Sequence, residues 1–130
     1  MKRSAFEYLG TPTSFGIDTT KIDAIFQNLM QKPDICEDLK IQITKSYSTL
    51  RNNILRGEEI LRIFEIQQEL IEIPGEFFEE LMDLSYEELT NLSDEIYDEM
   101  VKMNVSSGNI AEFSNLFIRY KYINKAFLPK

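Results

Sequence analysis

The sequence predicts an all-α fold, an irregular bundle of five or six helices with an irregular N-terminal arm. From Ile22 to Phe127, apolar residues recur at steps of three and four, the spacing that places them on one face of a helix. No segment alternates apolar and polar residues convincingly enough to indicate a strand. The chain of 130 residues has the commonest size for one domain, and no internal repeat divides it. We therefore expect a single helical domain over residues 18–130, preceded by the arm over residues 1–17.

The arm and the first helix meet at a capping residue. Glycine and proline occur three times in residues 1–17, with threonine and serine between them, which is typical of a loop. Asp18 follows as a candidate N-cap, because its carboxylate can accept a hydrogen bond from a free amide of the first helical turn. Pro33 is expected to end this helix, since proline cannot continue the backbone hydrogen bonds.

The next segment, Asp34 to Ile73, keeps a helical apolar pattern, and its first unambiguous stop is Pro74-Gly75. Gly57 lowers helix stability by about 1 kcal/mol relative to alanine, and the two glutamates after it suit a new helix start. One long helix bent at Gly57 and two helices separated there are both compatible with the pattern. We favour two helices, because a single helix about 55 Å long would project beyond a compact domain.

Three further helices are expected after Pro74. A short one runs from Glu76 to Leu84. Ser85 and Glu88 then form a capping box, in which each side chain accepts a hydrogen bond from the other residue's backbone amide. The helix that follows is expected to bury Leu89, Leu92, Ile96, Met100 and Met103. The last helix carries an apolar face formed by Ile110, Phe113, Leu116, Phe117, Tyr120, Ile123 and Phe127.

Several activities are excluded by residue types that the chain lacks or has only once. The absence of histidine removes Ser-His and Cys-His nucleophile pairs, imidazole acid–base catalysis and histidine-containing metal sites. The single cysteine, Cys36, permits neither an intrachain disulfide nor a multi-cysteine metal site. No glycine motif for phosphate binding or for a nucleophile elbow is present. The sequence therefore predicts no enzyme, no catalytic residue and no cofactor.

Metal binding, membrane insertion and secretion are not expected either. Glu79, Glu80 and Asp83 form a carboxylate cluster, but no glycine-turned loop with the ligand order of a calcium site surrounds them, so we expect a plain helix surface. No run of eighteen apolar residues occurs, so no membrane contact is expected. Residues 1–8 begin with bases, but no apolar stretch of signal-peptide length follows. We expect a cytoplasmic protein, in its own cell or in a host cell.

Charge is distributed unevenly along the chain. The net charge is −8, but residues 58–99 hold fifteen acidic side chains and one base, Arg62, for a net −14. The remaining residues hold seven acidic and thirteen basic side chains, for a net +6. Like charges four residues apart on a helix repel by about 0.2–0.5 kcal/mol, so this window departs from the mixed signs usual on a solvated helix. The expected repulsive pairs are Glu65/Glu69, Glu72/Glu76, Glu79/Asp83, Asp94/Asp98 and Glu95/Glu99.

We define the acidic face as thirteen carboxylates of this window that are candidates for contact with a partner. They are Glu65, Glu69, Glu72, Glu76, Glu79, Glu80, Asp83, Glu87, Glu88, Asp94, Glu95, Asp98 and Glu99. Three interpretations are open: a solvated surface that keeps the protein soluble, a docking face for a basic protein surface and, within that class, mimicry of nucleic acid. Mimicry would use carboxylates about 5–6 Å apart in place of the phosphates of one strand.

These observations favour a non-catalytic binding protein that blocks or modulates a macromolecular partner, as an inhibitor or immunity protein does. The partner is expected to be a protein with a basic surface, and direct nucleic-acid binding is not expected of so acidic a chain. The alternative is a structural or chaperone-like subunit that docks through an apolar helix face. Candidate surplus apolar residues for that role are Phe77, Phe78, Met82 and Tyr86. The sequence does not indicate an oligomeric state.

Overall fold

A computed structural model describes residues 3–128, and this range contains seven α-helices and no strand. The predicted all-α class is confirmed. The chain divides into two compact units, residues 1–63 (unit 1) and residues 64–130 (unit 2). This division does not test the expected single domain over residues 18–130, which stays a prediction.

Unit 1 contains four helices, of which α3 contacts each of the others. The helices are α1 (Ala5–Leu9), α2 (Thr19–Met30), α3 (Glu37–Arg51) and α4 (Asn53–Ile63). Asp18 caps α2 as predicted, because its carboxylate accepts a hydrogen bond from the Thr20 amide at 2.9 Å. Ile43 and Leu50 of α3 are buried. The core of unit 1 is therefore organised around α3.

The N-terminal arm, expected to be irregular, contains helix α1. Ser4 and Glu7 form a capping box at its start, and Gly10 ends it in the left-handed conformation with a φ of 68°. The Ala5 amide donates a hydrogen bond to Glu59 Oε2 of α4 at 2.6 Å, which ties the arm to the body of unit 1. The Ser-x-x-Glu spacing is the sequence signal that indicates such a helix start.

The pKa of Glu59 lies below its ordinary value of 4.5. Partial burial alone would raise it, but hydrogen bonds from Arg62 and from the Ala5 amide, together with the charge of Arg62, outweigh that effect. A carboxyl group with a lowered folded-state pKa stabilises the fold above its unfolded pKa and loses that contribution as the pH falls through the folded value. The stabilisation from Glu59 is therefore complete at neutral pH and is lost below pH 4.5.

We expect Glu59→Gln to lower the free energy of unfolding by about 1 kcal/mol at neutral pH, because a neutral amide accepts weaker hydrogen bonds than a carboxylate. The difference from the parent should shrink as the pH falls below 4.5, where Glu59 itself becomes neutral. Urea unfolding at several pH values measures it. Asp34→Asn, in the exposed turn before α3, is the control and should have no such pH-dependent effect. A Glu59→Gln effect of equal size in acid and at neutral pH would contradict this assignment.

The segment from Asp34 to Ile73 contains two α-helices, so the favoured alternative is confirmed, but the break lies elsewhere than predicted. It falls at Asn52, between α3 and α4, whereas Gly57 is buried inside α4. Asn52 has an extended backbone, and its side-chain oxygen accepts a hydrogen bond from the Leu55 amide at 3.0 Å. Asn52 therefore caps the second helix, as a short polar side chain at that position commonly does.

Unit 2 contains an irregular connector and the three remaining helices. We use the name connector for residues 64–74, in which Glu65 adopts a left-handed φ of 59° and Gln68–Leu70 form one 3-10 turn. The helices are α5 (Gly75–Met82), α6 (Tyr86–Lys102) and α7 (Ile110–Tyr122), and a π-helical turn (Ile123–Phe127) continues α7. α6 packs against α7 and this turn.

Aromatic contacts hold α5 on α7. The Arg119 guanidinium lies 5.0 Å from the centroid of the Phe77 ring, and Phe78 meets Tyr122 edge-on with ring centroids 4.6 Å apart. Phe77 is consequently buried and Phe78 half-buried. Two of the four apolar residues considered for a subunit interface therefore belong to the packing of unit 2.

Two sequence predictions about unit 2 are confirmed in detail. Ser85 Oγ accepts a hydrogen bond from the Glu88 amide at 3.2 Å, and the Ser85 amide donates to Glu88 Oε1 at 3.1 Å, so the capping box starts α6. The centre of the predicted apolar face of α7 is also buried. Its buried members are Phe113, Phe117, Tyr120 and Ile123, while Ile110, Leu116 and Phe127 are half-buried.

The buried stripe of α6 differs from the predicted one at two positions. Its members are Leu89, Ser93, Ile96 and Met100. Leu92 and Met103, expected to be buried, are half-buried. Ser93 Oγ accepts a hydrogen bond from Asn124 Nδ2 of the π-helical turn at 2.8 Å, so the buried stripe contains a polar contact at Ser93. At about 100° per residue, Leu92 projects beside the stripe and not from its centre.

Met100→Ala is expected to lower the free energy of unfolding by about 2–5 kcal/mol, because the Met100 side chain is fully buried. Leu92→Ala should cost less than half as much, since part of the Leu92 side chain already contacts solvent. Urea denaturation of both variants measures the two costs. Met82→Ala is the control, because Met82 is 76% exposed. Equal costs for Met100→Ala and Leu92→Ala would show that the buried stripe of α6 is misplaced.

Candidate functional site

The net charge of the protein is concentrated in unit 2. Unit 1 contains eight acidic and nine basic residues, for a net +1, whereas unit 2 contains fourteen acidic and five basic residues, for a net −9. Neither lysine nor arginine occurs from residue 64 to residue 101. The whole acidic face therefore belongs to unit 2.

Every carboxylate of the acidic face is exposed. Within residues 3–128, none of the thirteen forms an ion pair, whereas in unit 1 Arg51 pairs with Asp23 and Arg62 with Glu59. Glu58 and Glu59, which complete the acidic window of the sequence, are half-buried on α4. The acidic face thus presents its charge to solvent.

α6 arranges six of these carboxylates in two columns. At about 100° per residue, one column lies opposite the buried stripe and the other on its flank. The opposite column is Glu87, Asp94 and Asp98, and the flanking column is Glu88, Glu95 and Glu99. Both columns are exposed, as the helical spacing of the sequence predicts.

The expected repulsion between carboxylates four residues apart holds for only part of the acidic face. Asp94/Asp98 and Glu95/Glu99 lie within α6, and Glu79/Asp83 spans the last turn of α5 and its cap. The prediction was wrong for Glu65/Glu69 and Glu72/Glu76. These pairs do not lie on one helix, because the connector contains no α-helix and α5 begins only at Gly75.

Some of these carboxylates lie at the C-termini of α5 and α6, where negative charge destabilises a helix. Glu79 and Glu80 lie in the last turn of α5, Asp83 is the C-cap of α5, and Glu99 lies in the last turn of α6. The C-terminus of a helix carries a partial negative charge, so an acidic side chain there is typically unfavourable by about 0.3–1 kcal/mol. These four carboxylates therefore do not stabilise their own helices.

An open groove of about 550 Å³, which we call the acidic groove, lies between the end of α5 and the first half of α6. It is lined by Glu80, Asp83, Leu84, Glu88, Asn91, Leu92 and Glu95. The structure thus brings four of the thirteen carboxylates together around two half-buried leucines. The sequence pattern did not indicate this groove, because helical spacing placed Leu92 in the core. A leucine beside the buried stripe is nevertheless the expected signal of a partly exposed flank.

The other nine carboxylates lie outside the acidic groove. Glu65 and Glu72 line a second open groove of about 730 Å³ between the connector and α7, which we call the connector groove. Seven more are exposed outside both grooves, namely Glu69, Glu76, Glu79, Glu87, Asp94, Asp98 and Glu99.

Residues 3–128 contain neither a metal-holding cluster nor a membrane-spanning helix. No three acidic or cysteine side chains in this range are grouped so that they could hold a metal ion, Glu79, Glu80 and Asp83 included. No helix in the same range has the length and apolar character needed to cross a membrane.

No protein-family model, curated protein or solved structure matches the chain. The candidate site is therefore defined by its own charge, exposure and shape. It offers an array of solvated carboxylates, and two open grooves in which some of them stand beside aliphatic side chains. Such an arrangement can bind basic groups by charge and hold apolar side chains of the same partner.

Proposed function

We propose that this protein is a non-catalytic binding protein that docks a basic protein partner on the acidic face of unit 2. The observation that supports this most is the exposure of all thirteen carboxylates in a stretch without a single base. A surface with one sign of charge raises the rate of association and selects partners by their charge. Binding there blocks or modulates the partner, as an inhibitor or immunity protein does.

The cost of the charges to the protein's own stability supports the same proposal. Two like-charge pairs in α6 and four acidic side chains at the C-termini of α5 and α6 each destabilise the helix that carries them. A surface needed only for solubility could carry the same net charge at sites where no helix is weakened. Partner binding accounts for the presence of charge at these particular positions.

The two columns of carboxylates on α6 support a more specific form of the proposal, in which the partner is a nucleic-acid-binding protein. In each column the last two carboxylates are four residues apart and lie about 5–6 Å from each other, broadly similar to the phosphates of one strand. The first carboxylate of each column lies seven residues earlier, at roughly 10 Å. α6 would then occupy the basic channel of that partner. We place the protein in the cytoplasm, because an exposed unpaired cysteine, Cys36, suits a reducing compartment.

A second candidate function is a structural or chaperone-like subunit that docks through apolar side chains. Met82 and Tyr86 favour it, since they are 76% and 73% exposed at the turn between α5 and α6. The two functions differ in their response to salt, because charge-driven docking weakens steeply with ionic strength and apolar docking does not.

Paired affinity captures from the native cell test the proposal. One bait is the parent protein, and the second is a five-charge variant in which Glu88, Asp94, Glu95, Asp98 and Glu99 are replaced by Gln or Asn. A third bait carries Met82→Ser and Tyr86→Ser. We expect a basic protein to be captured by the parent and by the third bait, and to be depleted about tenfold on the five-charge variant. Capture that survives in the five-charge variant and is lost with the third bait would support the subunit function instead.

A further inference from the structure

The connector groove combines an apolar lining with an acidic edge. Ile66, Leu70 and Ile71 of the connector line one side, and Ala111 and Asn115 of α7 line the other. Leu70 is 72% exposed, and Ile66 and Ile71 are half-buried. A single exposed leucine is ordinary on a protein surface, but here three large aliphatic side chains share one concave surface.

A hydrogen bond ties the connector to α7. Lys121 Nζ of α7 donates a hydrogen bond to Gln68 Oε1 at 2.7 Å, and Gln68 belongs to the 3-10 turn that carries Leu70. The side chain of Leu70 therefore projects from a short ordered turn whose first residue, Gln68, is hydrogen-bonded to α7. A preorganised apolar surface loses less entropy on binding than a flexible one.

The charge around the groove selects its occupant. Glu65 and Glu72 belong to its lining, and Glu69 is exposed next to Leu70 in the sequence. The connector itself contains no lysine or arginine, and Lys121 of α7, bonded to Gln68, offsets only part of this negative charge. A segment that enters this groove must offer basic side chains to the edge and large apolar side chains to the floor, because an acidic segment would be repelled.

We propose that the connector groove receives a basic segment of the partner protein, whose large apolar side chains pack on Ile66, Leu70 and Ile71. This inference rests on the proposed function, since it takes the segment from the same basic partner that docks on the acidic face. It adds a short-range apolar contact to long-range attraction by charge. Such contacts chiefly lengthen the lifetime of a complex, whereas the charges chiefly speed its formation.

The test is a titration of the isotope-labelled protein at low salt, followed by backbone amide resonances, with a short peptide of lysine and leucine in which leucine recurs at steps of three and four. A second peptide of equal charge replaces every leucine by serine. Leu70→Ser removes the apolar contact. Met82→Ser is the matched control, because Met82 is equally exposed in the same unit but lies outside the groove.

We expect the lysine–leucine peptide to shift the amide resonances of residues 65–72 and 111–115. Leu70→Ser should raise its Kd about tenfold, Met82→Ser should leave the Kd within about twofold, and the lysine–serine peptide should bind the parent about tenfold more weakly. Shifts confined to α5 and α6, or equal Kd values for the two variants, would overturn the groove as the site while leaving docking on the acidic face intact. Absence of any shift in residues 64–99 at low salt would count against both proposals.

Discussion

Arg56→Ala is expected to lower the free energy of unfolding by about 3–5 kcal/mol. Arg56 lies on α4 and is only 1% exposed. Its Nη1 donates a hydrogen bond to the Leu50 carbonyl oxygen at 2.9 Å, and its Nη2 donates to Asn53 Oδ1 at 2.9 Å. The guanidinium also lies 4.6 Å from the centroid of the Phe15 ring. Removing it leaves a buried carbonyl without this donor and opens a cavity beside a buried aromatic ring.

Two further variants show whether the loss comes from this buried arrangement. Arg56→Lys keeps the charge but cannot reproduce the planar fork or its contact with Phe15, so an intermediate loss is expected. Arg51→Ala removes an arginine whose side chain is 44% exposed and whose ion pair with Asp23 is 3.5 Å long, so a loss below about 1 kcal/mol is expected. Urea unfolding followed by circular dichroism measures all three. If Arg56→Ala costs no more than Arg51→Ala, the buried hydrogen bonds of Arg56 and its contact with Phe15 do not stabilise unit 1.

Local sequence signals predicted the fold where one residue type has a single structural role. The capping box of Ser85 and Glu88 is such a case, because the same two side chains satisfy two free amides of a helix start. Spacing at three and four also identified the buried face of α7. The position of the helix break was harder to predict, since Gly57 lies inside α4 and the break between α3 and α4 falls at Asn52. Glycine only weakens a helix, whereas a capping side chain starts a new one.

Features that depend on contacts between distant residues could not be read from spacing. The burial of Arg56 depends on Phe15, which is forty-one positions away in the sequence. The short helix α1 is marginal by itself and is stabilised by the hydrogen bond from Ala5 to Glu59. Loop residues of the arm outweighed its capping signal in the sequence, so α1 was not predicted.

The candidate site was predictable in its charge but not in its shape. Helical spacing placed both columns of carboxylates on the exposed side of α6, and exposure depends mainly on that angular position. The two grooves depend instead on where helices end and meet. The sequence pattern extended a helix through Leu70 to Ile73 and placed Leu92 in a buried helix face, whereas the structure exposes Leu70 on a 3-10 turn and half-exposes Leu92. A 3-10 turn in the connector causes the first difference, and a rotation of the buried stripe of α6 causes the second.

The five-charge variant is expected to associate with the captured partner at least about tenfold more slowly than the parent at low salt. The variant removes the flanking column and two members of the opposite column of α6, which lie away from the buried stripe. Glutamine at position 88 can still accept a hydrogen bond from the Ser85 amide, so the capping box at the start of α6 is preserved. Stability should be unchanged or rise by some tenths of a kcal/mol, because two repulsive pairs are removed. Thermal unfolding of the variant checks that its fold is intact.

A control variant neutralises three exposed carboxylates of unit 1, with Asp34→Asn, Glu37→Gln and Asp38→Asn. It tests whether net charge alone, and not the acidic face, determines the rate. The decrease in association rate is compared per charge removed. If it is as large for the control as for the five-charge variant, the overall charge of the protein determines the rate. We expect the control to change the rate by less than about twofold.

The association rate constant of the parent and of the five-charge variant with the captured partner, measured by stopped flow from about 0.02 M to about 0.5 M salt, tests the acidic face most directly. Docking through this face predicts that the parent rate falls steeply with salt, that the variant rate falls little, and that the two converge near 0.5 M. Equal rates for the two proteins at the lowest salt concentration would contradict docking through α6 and leave its carboxylates as a solvated surface.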